Sequence, residues 1–220
     1  MNQSNLLHYD LARHSTKDTI KMLTFLLEKV TKANDQHQPS GERRKSLTYT
    51  CFHARSIPSI SIHAYLTRIL KYCPCANECF LALLVYFDRM SKVTLGKQNT
   101  GLRIDSYNIH RLIISGIMVA SKLFSDVFFT NTRYAKVGGL PVAELNTLEI
   151  EFLALNNFSL FISLEELQQY GDQLLTHWKM ENENIPQYIC TDDNDNKEED
   201  ISPVKRKARH LSIDKHDDTA

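Results

Sequence analysis

Residues 106–124 read SYNIHRLIISGIMVASKLF, and this stretch decides the fold. Ile109, Leu112, Ile113, Ile114, Ile117, Met118, Val119 and Leu123 wrap most of the circumference of a helix. A helix that is apolar nearly all round has to be enclosed by protein. Ser115, Gly116, Ala120 and Ser121 are small, so neighbouring helices can approach it closely. The pattern predicts the central helix of a bundle, capped at its start by Asp105 or Ser106.

Reading outward, the same period recurs on both sides. Ser15 and Asp18 form a capping pair ahead of Ile20, Leu23, Leu26, Leu27 and Val30, which predicts an amphipathic helix over 16–33. Ile60, Ile62, Leu66, Ile69 and Leu70 predict another over 60–73, broken at Cys73-Pro74. Asn77 is placed to cap the next, which carries Phe80, Leu81, Leu83, Leu84, Val85, Phe87 and Met90 and fades after Ser91. A linker with Gly96, Asn99, Thr100 and Gly101 leads into the central helix. Beyond it, Tyr134, Gly138 and Gly139 read as a loop, and Pro141 opens a helix over 141–156 with Leu145, Leu148, Phe152 and Leu155 on one face. Ser163 and Glu166 make a capping box for a last helix that ends near Trp178. No period-2 alternation of any length occurs, so the expected class is all-α, with one helix in front of five.

The domain reading is a disordered lead (1–15), an N-terminal helix (16–35), a flexible loop (36–56), a helical box (57–162), the last helix of the fold (163–179) and a disordered tail (180–220). In the loop, Arg43-Arg44-Lys45 reads as a solvated tip or, less simply, a docking patch. The tail turns acidic through Asp192, Asp193, Asp195, Glu198, Glu199 and Asp200, then basic at Lys205, Arg206, Lys207 and Arg209. Such blocks bury too little apolar area to offset the entropy of ordering.

The chain has 220 residues, 42% of them hydrophobic, with 26 acidic and 26 basic side chains. A formal charge of zero argues against a dominant nucleic-acid role. Seven glycines leave little for glycine-lined phosphate loops, and no P-loop, glycine-rich strand-turn-helix motif or nucleophile elbow is present. None of the nine histidines pairs with another at ligand spacing. No catalytic residue and no cofactor are expected. Cys73, Cys75 and Cys79 crowd together, but a zinc site gathers ligands from two paired clusters and only one exists here. Cys79 is expected to pack in a helix interface and the other two to sit in the turn before it. With no signal peptide at the start and no apolar run near the roughly 20 residues that span a bilayer, the cysteines read as reduced thiols of an intracellular protein. No membrane contact is expected.

The segments IPSISIHAYLTRILKY (57–72), CFLALLVYFDRMSK (79–92), SYNIHRLIISGIMVASKLFSD (106–126), YAKVGG (134–139) and LNTLEIEFLALNNFSL (145–160), taken in order, resemble the P-type, or U-type, cyclins of plants and the phosphate-pathway cyclins of yeast and protists. The leading MLTFLLEKVTKAND is similar to the segment that precedes the cyclin box there. The likeness runs over about 20–175. It implies a single five-helix cyclin box without a second repeat, and a regulatory subunit that binds and activates a cyclin-dependent kinase by positioning its αC helix. The chain is expected to be monomeric apart from that heterodimer and to work in the nucleus, the cytoplasm or both, in cell-cycle or phosphate signalling.

The resemblance places the family's kinase-contacting Lys and Glu at Lys122 and Glu149, whose simpler reading is a surface pair at helix edges. It adds Leu123, Phe124, Val127, Phe128 and Phe129 as apolar contacts; burial of 124–129 under the last helix is the competing reading. Asp88 and Arg89 match the family's DR pair and are expected to be structural. The Arg and Asp-Trp of the first box helix in mitotic cyclins are missing, with Ser61, His63 and Tyr65 in that region, so their substrate groove is not expected. In the tail, Ser202 before Pro203 has the form favoured by proline-directed kinases, and Lys205–Arg209 resembles a nuclear localisation signal. Two other functions fit an all-helical box without a catalytic centre: a cyclin-fold protein of transcription, which usually carries two repeats and a basic face, and an adaptor in another complex without kinase activation.

Overall fold

The computed structural model describes residues 7–36, 50–95 and 102–183. Arg43, Arg44 and Lys45, the 96–101 linker and the tail with Ser202, Lys205, Arg206, Lys207 and Arg209 lie outside the described residues. Seven helices follow in chain order: α1 (Thr16–Gln36), α2 (Ile62–Tyr72), α3 (Asn77–Leu95), α4 (Ile109–Phe124), α5 (Asn131–Gly138), α6 (Val142–Leu155) and α7 (Leu164–Glu183). No strand occurs among the described residues.

The α4 helix is the centre, as its sequence requires. Every residue from 112 to 121 is buried, and α2, α3, α5 and α6 pack around it. Gly116 permits the tightest approach: a Cβ there would press into Leu83 Cδ2 and lie 3.0 Å from Phe152 Cζ. α1 lies against α2, α3 and α7. Helix α4 begins three residues later than the sequence suggests. Residues 106–108 form a turn in which Asp105 Oδ1 accepts from the amides of Tyr107 (2.9 Å) and Asn108 (3.2 Å), and the helix starts at Ile109.

Three local expectations are corrected. The stretch read as a loop after α4 contains α5, an eight-residue helix too short to show a period; it buries Tyr134, Ala135 and Val137 and stops at Gly139, whose φ of 72° a residue with a side chain adopts at a cost. The start, read as disordered over 1–15, is pinned over its described part. Tyr9 is fully buried, its amide donates to Asp172 Oδ1 at 2.6 Å, and Gln168 Nε2 donates to its carbonyl at 2.7 Å. Gly171 makes room, since a Cβ there would meet the Tyr9 ring at 2.8 Å. Asn77 is the first residue of α3, not its cap, and its side-chain amide donates to the His14 carbonyl at 2.8 Å.

His110 is the one ionisable side chain among the buried residues of α4. Its Nε2 contacts the Ile60 carbonyl at 2.9 Å, its ring meets Tyr65 edge-on at 5.0 Å, and its Nδ1 is buried without a partner. Burial pushes the imidazole below its ordinary value, against the opposing effect of the Ile60 carbonyl. The unfolded chain therefore binds a proton that the folded one refuses, and stability is lost as pH falls below the ordinary value of 6.5.

Two outcomes follow. Gly116→Ala should lower unfolding free energy by about 1–3 kcal/mol in urea titration, because the core must shift to admit a methyl group. The fall in stability between about pH 7 and 5 should be shallower in His110→Gln than in the parent chain, since Gln takes up no proton in that range.

Candidate kinase-facing site

Because α4 is buried through Ser121, Lys122 is where the helix leaves the core. Its ammonium donates to Glu149 Oε1 on α6 at 2.6 Å, with the two side chains 29% and 17% exposed. The other oxygen, Oε2, accepts from Asn131 Nδ2 at 2.8 Å, and that amide also contacts Asn146 Oδ1 at 2.8 Å. One carboxylate thus joins the end of α4, the start of α5 and the middle of α6. Lys122 and Glu149, 27 residues apart in sequence, are brought together.

Apolar side chains stand uncovered nearby in the chain. Leu123 follows Lys122 and is exposed; Val127 (82%) and Phe128 are exposed in the α4–α5 link. Phe124 and Phe129 are partly buried against the core. Phe129 packs edge-on to Tyr134 at 6.3 Å and carries the Arg133 guanidinium over its ring at 4.2 Å. The 124–129 segment is therefore split: Val127 and Phe128 face solvent, while Phe129 packs against Tyr134 and Arg133 of α5.

Sequence reasoning missed a second apolar group. Ile150 is 65% exposed next to Glu149, Phe158 (68%) and Phe161 (80%) follow in the link to α7, and α7 itself opens on the exposed Leu164. Ile150 and Ala154 lie four residues apart on the exposed face of α6, and Phe158 continues from its end. Asn157 and Phe158 both have positive φ, 51° and 54°. For a Phe this left-handed backbone costs about 1–3 kcal/mol, so the surroundings have to hold it. The Asn156-Asn157 pair was the available signal, because Asn tolerates that conformation.

Arg89 supplies the hold. Its Nη1 donates to the Ser159 and Phe161 carbonyls, each at 3.0 Å, and its Nη2 to Glu166 Oε2 at 2.7 Å. Tyr86 adds a bond from its hydroxyl to the Leu160 carbonyl at 3.0 Å. Half of the capping box forms: the Glu166 amide donates to Ser163 Oγ at 3.2 Å, while the Glu166 carboxylate goes to Arg89. Neighbouring Asp88 accepts from the Tyr170 hydroxyl on α7 at 2.7 Å and pairs with Lys92 at 2.6 Å. Burial pushes the Asp88 carboxyl up, but these two donors outweigh it and hold it below the usual carboxylate range.

Three cysteines stand where α2 ends and α3 begins. Cys73 and Cys79 are buried, Cys75 is half-buried, and Ser121 Oγ donates to Cys79 Sγ at 3.8 Å. Cys75 and Cys79 are free thiols, and a hydrogen bond with the Cys75 side chain holds the Cys79 thiol below its ordinary value. Among the described residues no three His, Cys, Asp or Glu side chains gather as metal ligands, and no helix is long and apolar enough to cross a membrane.

A family model described as Cyclin matches residues 17–160. PHO85 cyclin-like protein psl1 of Schizosaccharomyces pombe is 46% identical over 185 residues, covering 80% of this chain and 74% of that protein. PHO85 cyclin-7 of Saccharomyces cerevisiae is 40% identical over 189 residues, covering 80% and 66%. Cyclin-U4-1 of Arabidopsis thaliana is 37% identical over 155 residues, covering 70% and 73%.

Arg89→Ala should cost about 1–3 kcal/mol of stability, since the Ser159 and Phe161 carbonyls and the Glu166 carboxylate lose their donor. Amide exchange over 157–163 should accelerate more than exchange in α4. Equal exchange rates in the variant and the parent would show that Arg89 does not hold the link.

Proposed function

This chain belongs to the cyclin family, and we propose that it is the regulatory subunit of a cyclin-dependent protein kinase, which it activates by positioning the kinase's αC helix. Relatives from both yeasts carry PHO85 in their names, which makes a kinase of that type the first candidate partner. The observation that carries the reading is the Lys122–Glu149 pair at the exit of the core, with Leu123, Val127, Phe128 and Ile150 left uncovered beside it in the chain.

A protein kinase is active when the Lys of its third strand pairs with the Glu of αC. A partner that binds the inward αC more tightly than the outward one shifts that equilibrium. Moving it from 1:99 to 99:1 takes about 5.5 kcal/mol, which at about 25 cal/mol per Å² corresponds to roughly 220 Å² of apolar surface covered in the inward state alone. The exposed Leu, Val, Ile and Phe side chains of the two links and α6 are enough to supply it. Lys122 and Glu149 would give the contact its register, with hydrogen bonds to backbone groups at the end of a kinase helix.

In this reading the chemistry belongs to the kinase, and the cyclin contributes no reaction of its own. The heterodimer is the working unit. A place in the nucleus, the cytoplasm or both is part of the same proposal and rests on the resemblance and on the basic block at Lys205–Arg209.

Lys122→Ala and Glu149→Ala should each weaken binding to the host kinase by about 2–5 kcal/mol in calorimetric titration, because each leaves a desolvated group unpaired in the complex. In the free chain Lys122→Ala should cost about 1 kcal/mol or less, and Glu149→Ala about 1–3 kcal/mol because Lys122 and Asn131 lose their acceptor. Unchanged affinity in both variants would remove the assignment of this face.

A further inference from the structure

Helices α2 and α5 pack side by side, and their solvent faces carry Arg68, Lys71, Arg133 and Lys136, all exposed. Neither helix contains an acidic residue. The four cations form a connected row. Arg68 Nη2 donates to the Lys136 carbonyl at 3.3 Å, which sets the two residues beside each other. Arg133 Nε donates to the Tyr72 carbonyl at 2.8 Å, and Lys71 Nζ lies 5.3 Å from the centre of the Tyr72 ring.

No ion pair among the described residues includes any of the four, whereas Lys29, Arg89, Lys92, Arg111 and Lys122 each have a carboxylate. Arg68 and Lys71 are three apart on one helix, and Arg133 and Lys136 three apart on the other, so like charges are neighbours along both helices. Each such pair opposes folding by a few tenths of a kcal/mol. In a chain of zero formal charge, this is a local arrangement that an anionic partner would relieve.

We infer that the α2–α5 ridge is a docking surface for an acidic peptide segment of a protein partner. Three features favour a peptide over nucleic acid. The surface is short, since an eight-residue helix such as α5 is about 12 Å long and spans few phosphates. The chain has no net positive field to hold a polyanion. Exposed Tyr72 supplies an apolar foothold within the row, suited to a segment that mixes Asp and Glu with larger side chains. The arginine forks match carboxylates two bonds at a time. Arg133 also covers Phe129, so the ridge borders the α4–α5 link, but the inference does not rest on the kinase reading.

The test is fluorescence anisotropy on the full chain, without kinase. The probes are a labelled peptide of Asp and Glu interspersed with Leu and Phe, the same peptide with Asn and Gln in place of the acids, and a single-stranded oligonucleotide of equal charge. The acidic peptide should bind, the amide peptide should not, and affinity should fall as salt is raised. Lys71→Glu with Lys136→Glu should weaken binding about tenfold or more. Neither ammonium group makes a hydrogen bond among the described residues, and circular dichroism should be unchanged. If the double reversal does not fold, Lys71→Gln with Lys136→Gln should still weaken binding about threefold. Equal binding of the amide peptide, equal affinity in the folded variant, no binding of the acidic peptide, or tighter binding of the oligonucleotide would each overturn the inference.

Discussion

The structure depends on the burial of α4. Ten consecutive buried residues, from 112 to 121, leave that helix no solvent face and oblige four others to surround it. Gly116 sets how closely two of them approach, through Leu83 of α3 and Phe152 of α6. Stability here is a matter of fit around one axis, since interiors packed at crystal density transmit even a methylene's change in volume. Where the axis emerges, the first side chain to reach the surface is Lys122, and its position is fixed by everything packed behind it.

That geometry explains how the helical scaffold presents a defined surface. Glu149 receives Lys122 from α4 and Asn131 from α5 on its two oxygens, so three helices share one carboxylate. The α6–α7 link is held from the other side by Arg89 and Tyr86, which fasten three successive carbonyls between 159 and 161. The strained Phe158 backbone persists because these bonds over-determine it, and its cost leaves a large apolar side chain in solvent. A face held in this way loses little entropy when a partner settles on it.

Much of this was legible in the sequence, for reasons that are physical. The long helices bury stripes or whole circumferences, and a 3.6-residue period survives in the order of Ile, Leu and Val along α1 to α4, α6 and α7. α5 did not show because eight residues hold barely two turns, and its Tyr134, Ala135 and Val137 look like any loop. Tyr9 sits among Leu7 and Leu11 in a stretch too short to show a period, and its burial depends on Gly171 more than 160 residues later. The Lys122–Glu149 pairing has no local signal at all; family resemblance supplied the two positions, and the fold brings them to 2.6 Å. The outward turn of Phe158 depends on backbone torsions that side-chain pattern does not encode.

Amide hydrogen exchange on the chain alone and in complex with the host's cyclin-dependent kinase tests the central claim most directly. The account predicts that kinase binding slows exchange in the α4–α5 link (125–130) and in the α6–α7 link (156–163), and leaves the exposed turns of α1 unchanged. Protection confined to α1 and α7, or a kinase that leaves both links unprotected, would contradict it.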